Sequence, residues 1–104
     1  LYHRVVERAR DPWGLAVSPA RFEAQLAALR RGGYRLVSLP ALVDALEAGA
    51  LPRRAVALTF DDAYADVAAT ALPLLAAHRV PATVFAVSGA VGDAREFWWD
   101  ALDR

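Results

Sequence analysis

Between Arg54 and Asp61 the chain runs through six uncharged residues, Ala55–Phe60 (AVALTF), and then meets two carboxylates in succession, Asp61 and Asp62. A strand-length run with no polar alternation suits a strand buried on both faces, as in a parallel sheet covered by helices. The rest of the chain follows the same plan. Leu1–Val6, apolar with one His, reads as a strand, and a turn-prone connection through Arg10, Asp11, Pro12 and Gly14 follows. Ser18 is expected as an N-cap with Pro19 at the first helical position, and Phe22, Leu26 and Leu29 recur at helical spacing until Gly32–Gly33. Tyr34–Val37 reads as a second strand. Ser38 and Pro40 open a second helix with Leu42, Val43 and Leu46 on one face and Gly49 at the C′ position. Beyond Ala55–Phe60 a helix is expected from about Ala65 to His78, kinked or restarted at Pro73. Val80–Val87 is the next strand, and Phe97–Arg104 begins a further helix. Strands alternating with helices across long connections predict a parallel α/β fold, either doubly wound or a barrel.

Composition removes several alternatives. The 12 basic residues, all Arg, balance 12 acids, and no basic run is present, so the sequence offers no electrostatic basis for binding nucleic acid or an anionic membrane. The longest apolar stretches, Ala71–Ala77 and Val80–Val87, fall far short of the roughly 20 residues of a transmembrane helix, and each contains a Pro. With no Cys, any metal must be held by His and carboxylates. Ala, present 24 times, is discounted as a helix signal beside caps and periodicity. The chain contains no Met and begins inside a strand-like run, so residues 1–104 are expected to be part of one domain cut from something longer.

Asp61 and Asp62 follow the best-defined strand, and ligands of parallel α/β folds gather at the carboxyl ends of strands. Adjacent side chains diverge there. One carboxylate can ligate a cation while the other reaches a water and acts as general base. The bland alternative has one Asp capping the next helix and the other solvated.

Leu58-Thr59-Phe60-Asp61-Asp62-Ala63-Tyr64 resembles the first motif of the NodB-homology polysaccharide deacetylases, Thr-Phe-Asp-Asp-Gly often followed by Tyr. The neighbouring segments agree: Leu72-Pro73-Leu74-Leu75, the strand Val80 to Phe85, the opening Leu1-Tyr2-His3-Arg4-Val5, and Phe22 to Tyr34 are all similar to family segments in the same order. The resemblance implies the N-terminal half of a distorted (β/α) barrel. It implies that Asp61 is the base that takes a proton from water and that Asp62 ligates a divalent metal, usually zinc. The metal would polarise an acetamide carbonyl, so that N-acetyl, or O-acetyl, groups leave a polysaccharide or amino sugar as acetate. Two further ligands come from a His-x-x-x-His motif in the family, and this sequence stops before one. The missing C-terminal half of the domain is therefore an expected partner of this chain.

Weaker candidates surround the pair. His3 could touch substrate or support the site from behind, or be a satisfied, partly buried His; Tyr64 is expected to border the pocket. His78 is expected to interact with the C-terminus of its helix. Ala63 stands where the family has Gly, which costs energy if that position needs a positive φ. Phe97-Trp98-Trp99-Asp100 invites sugar stacking, but burial of Phe97 and one Trp is the simpler reading. Arg30, Arg31, Arg53 and Arg54 read as solvated positions. Competing functions are a non-catalytic carbohydrate-binding or structural remnant of the same fold, and a magnesium-dependent phosphoryl-transfer enzyme, which lacks any supporting Gly-rich phosphate loop.

Overall fold

The computed structural model of the protein describes residues 1–103. Six short strands pair in parallel: β1 (Arg4–Val5) with β2 (Ala16–Val17), β3 (Arg35–Leu36) with β4 (Ala55–Val56), and β5 (Leu58–Phe60) with β6 (Ala82–Val84). Tyr2 joins the first pair to the last. Its N–H donates to the Thr59 carbonyl at 2.8 Å, and the Asp61 N–H donates back to the Tyr2 carbonyl at 2.9 Å, so the β1 segment runs beside β5. Parallel strands linked by helices make this an α/β fold.

The strand order departs from the sequence reading in two places. Ala55–Phe60 is not one strand: it breaks at Ala57, with Ala55–Val56 paired to β3 and Leu58–Phe60 to β6. The connection after β1 also contains a strand, β2, which was not expected. Its cause is Asp11, whose carboxylate accepts hydrogen bonds from the N–H groups of Leu15 (3.0 Å) and Ala16 (2.9 Å) and folds the connection back alongside β1.

The helices start where their caps require. In α1 (Pro19–Arg31) the Ser18 hydroxyl accepts from the Arg21 N–H, and in α2 (Leu39–Glu47) Ser38 does the same for Ala41, each at 3.3 Å. Gly49 has the left-handed φ of +65° expected beyond a helix end. The α2 face behaves differently from expectation: none of its residues is buried, and Leu46 is 63% exposed. Pro73 restarts its helix. A π-helical turn over Val67–Ala71, closed by the Leu72 N–H on the Val67 carbonyl, leads into α3 (Leu72–Ala77), and Pro73, which has no N–H to donate, sits in the first turn of α3. The last helix, α4, covers Trp98–Leu102.

One apolar cluster unites these elements. Val5, Phe22, Leu26, Leu58, Phe60, Val67, Ala71, Leu75 and Val80 are buried, with Tyr2 packed against them. Phe22 of α1 meets Tyr2 edge-on at 5.0 Å and Phe60 at 5.9 Å. Burying each such large side chain contributes about 1.5–3 kcal/mol. The chain ends of α1 and α3 are tied by polar contacts: His78, at the C-cap of α3, turns its Nε2 to Glu23 at 2.9 Å, and the Arg30 guanidinium donates to the carbonyls of His78 and Arg79. Arg30 is exposed, as read from the sequence, yet bonded to the end of α3, and the exposed Arg54 likewise donates to the Gly32 carbonyl. No described helix is long and apolar enough to cross a membrane.

Candidate active site

The chain leaving the carboxyl end of β5 brings Asp62 to the wall of a cleft, with Asp61 immediately before it. The backbone there is unusual: Asp62 (φ +69°) and Ala63 (φ +54°) are consecutive left-handed residues, and neither is Gly. This is the conformation in which the Ala at position 63 is disfavoured, and two such residues in succession turn the chain sharply away from the strand. The turn presents the Asp62 carboxylate back toward the β1 segment. There His3 Nδ1 lies 2.7 Å from Asp62 Oδ2, both side chains partly buried. A carboxylate can only accept, so His3 donates from Nδ1, which fixes the tautomer of the ring and the orientation of the carboxylate.

The cleft has a volume of about 860 Å³, and its walls include Asp62, Ala63, Tyr64, Arg4, Arg8 and Asp100. Asp61 is not among its described lining residues. His3, Asp62 and Tyr64 are thus gathered at one place, with Asp61 one residue behind at the strand end, where its N–H is bonded to Tyr2.

Tyr64 is built into the wall. Its hydroxyl donates to Asp100 Oδ2 at 2.8 Å and accepts from the Trp99 indole N–H at 2.7 Å. Burial pushes its phenol up to about 12; the Trp99 donor acts against that shift and the Asp100 carboxylate adds to it. Phe97 stacks on Trp99 at 4.7 Å and meets Tyr64 edge-on at 5.2 Å; both are half-buried rather than in the core, Phe97 lines the cleft, and Trp98 stays 68% exposed.

An ion-pair network, which the sequence alone does not reveal, surrounds this wall. Arg4 donates to Asp66 and lies 4.2 Å over the Tyr64 ring; Arg8 reaches Asp103 at 3.5 Å, and Arg10 reaches the same residue at 3.3 Å. The pairs join positions up to 95 residues apart, and nothing in the spacing of the arginines announces them.

Among the described residues no three His, Asp or Glu side chains gather closely enough to hold a metal ion. A catalytic zinc site takes three protein ligands and an open position, so the described residues do not complete one; Asp62 is one of five carboxylates lining the cleft, with Asp93, Glu96, Asp100 and Asp103.

The fold is parallel α/β with paired acids at a strand end, and comparison with known proteins identifies the family. Residues 48–104, just over half of the chain, match the family model described as polysaccharide deacetylase, and the chain belongs to that family. It is 37% identical over 82 residues to a poly-beta-1,6-N-acetyl-D-glucosamine N-deacetylase of Escherichia coli K12, covering 78% of this chain and 12% of that protein. The structure of IcaB from Ammonifex degensii superposes with a TM-score of 0.80 at 33% identity, over 93% of this chain and 40% of that one. Streptococcus pyogenes deacetylase PplD, solved with acetate, gives a TM-score of 0.75 at 28% identity, over 97% of this chain and 47% of that one. The chain therefore spans only a small part of the curated relative and less than half of these solved structures.

Proposed function

We propose that this chain forms part of a metal-dependent deacetylase that hydrolyses N-acetyl groups on an amino-sugar polymer of the poly-N-acetylglucosamine type. Its parallel strands are read as the N-terminal half of a distorted (β/α) barrel. The observation that carries the proposal is the acid pair at the end of β5, with Asp62 held by His3 at 2.7 Å on the cleft wall. The relatives whose names specify poly-beta-1,6-N-acetyl-D-glucosamine suggest the substrate class.

In this reading Asp61 accepts the proton of the water that adds to the acetamide carbonyl. The C–N bond then breaks, the amine leaves with a proton, and acetate is the second product. Asp62 is this chain's contribution to a divalent-metal site, zinc by family likeness, whose remaining ligands come from outside the described residues. A metal bound there supplies Lewis-acid polarisation of the carbonyl. His3 keeps the Asp62 carboxylate oriented, and Tyr64 shapes the sugar-facing wall without changing charge near neutral pH.

The test is a pair of substitutions in the full-length protein. Asp62→Ala should remove most bound zinc by elemental analysis. Asp61→Asn should keep the metal, while acetate release from an acetylated glucosamine oligomer falls by roughly 10²–10⁴. Equal metal loss in both variants refutes the division of roles, and a metal-replete parent that releases no acetate supports the non-catalytic carbohydrate-binding alternative.

A further inference from the structure

The loop that carries the acid pair is strained, and the means by which it is held lies outside the motif. Asp62 and Ala63 each occupy a left-handed conformation that disfavours them, so an unrestrained loop would relax toward ordinary backbone angles and re-aim the Asp62 carboxylate. Three residues of the β1 segment oppose this. His3 holds the start of the loop at Asp62, and Arg4 with Val5 holds its end at Asp66.

Both oxygens of Asp66 are engaged. Oδ1 accepts from the Val5 N–H at 3.0 Å, and Oδ2 accepts from Arg4 through Nε and through a terminal nitrogen, each at 2.9 Å. Both side chains are largely buried, at 20% and 11% exposure. The same guanidinium covers the Tyr64 ring at 4.2 Å and reaches Asp100 at 3.8 Å, which ties the middle of the loop to the cleft wall. A planar cation that donates to a carboxylate while stacking on an aromatic ring is a task for Arg that Lys performs poorly.

We propose that Arg4 and Asp66 are positioning residues for the acid pair: their ion pair clamps the left-handed turn at Asp62–Ala63 and so sets the aim of the Asp62 carboxylate into the cleft. The catalytic part of this inference rests on the deacetylase reading above; the clamp itself does not. Neither residue touches the reacting atoms, and they act on turnover through Asp62. Loosening the clamp at Asp66, which is not among the described lining residues of the cleft, therefore lowers kcat with little change in KM.

The experiment compares the full-length parent with Asp66→Asn, which keeps the acceptor for Val5 but removes the charge, and with Arg4→Lys. Amide hydrogen exchange and steady-state kinetics on an acetylated glucosamine oligomer are measured well below the melting point of each protein. Exchange at residues 61–64 should rise roughly tenfold while α1 is unaffected, and kcat should fall roughly ten- to a hundredfold with KM within about twofold. Adding Ala63→Gly to Asp66→Asn should recover part of the lost kcat, since Gly holds the turn without the clamp; a purely global stabilising role gives no such recovery. If Asp66→Asn does not fold, the milder Arg4→Lys decides by the same readouts. Unchanged exchange at residues 61–64, or faster exchange with unchanged kcat, overturns the inference. A parent that releases no acetate defeats the deacetylase reading instead, and the exchange pattern then decides the clamp alone.

Discussion

Replacing Ala63 by Gly should make the protein more stable, although Gly is ordinarily the weaker residue. At φ +54° the Ala Cβ crowds the following carbonyl, a cost of about 1–2 kcal/mol that Gly avoids. Against this, Gly has more freedom in the unfolded chain, which returns about 0.4–1 kcal/mol. Position 63 is exposed, so deleting its methyl group forfeits little packing. The balance is about 0.5–1 kcal/mol in favour of Gly, or about 2–8 °C in melting temperature for a chain of this size. Ala65→Gly is the matched control: it lies two residues on, is equally exposed and is helical, so it should lose about 0.5–1 kcal/mol. Urea and thermal unfolding of the three proteins check the argument. A destabilised Ala63→Gly, falling alongside Ala65→Gly, would show that the left-handed turn is not formed at Ala63 and that the strain reasoning fails.

Further expectations concern the wall, the helix ends and the sheet edge. Because the folded Tyr64 phenol titrates near 12 rather than at its ordinary 10, its stabilising contribution is complete below pH 10 and lost as pH rises from 10 to about 12. Tyr64→Phe should therefore flatten the stability profile in that alkaline window, and an unchanged slope would contradict the burial of the hydroxyl. Arg30→Ala removes the guanidinium that bonds the carbonyls closing α3, and should cost roughly 0.5–1.5 kcal/mol in urea unfolding, since these bonds are exposed. Among the described residues β6 is paired only with β5, and Val84 and Phe85 are 46% and 50% exposed. At zero net charge the isolated 104-residue chain should self-associate, which light scattering would detect as species larger than a monomer.

What could be read from the residues was mostly what local chemistry decides. Ser18 and Ser38 mark helix starts because a hydroxyl three residues before an unpaired N–H is a local arrangement, and Pro73 marks a restart because its missing N–H is intrinsic. The doubled acid after β5 stood out for the same reason. Partnership was not legible. Strand β2 depends on Asp11 bonding two N–H groups instead of remaining in a polar turn, and the break at Ala57 depends on which neighbour each half of the run meets. The exposed face of α2 shows that periodicity reports which side is apolar without reporting what covers it. The arginines are the sharpest case. Arg4 and Arg30 are indistinguishable from any other Arg until Asp66, Tyr64 and the end of α3 arrive beside them.

The bridge between Tyr2 and Phe60 also bears on how the protein is made. The segment with Tyr2 and His3 precedes β5, and its place beside β5 does not exist until the chain has grown by some 59 further residues, the separation of His3 from Asp62. At about 5–20 residues per second that is a wait of about 3–12 s, during which Tyr2 and His3 lack their partners at β5. The bridge from Tyr2 to β5 and the His3–Asp62 contact then form in the same step. An assembly intermediate with Tyr2 undocked therefore also lacks the His3–Asp62 contact, so misplacement of the first six residues should abolish function without abolishing the helices.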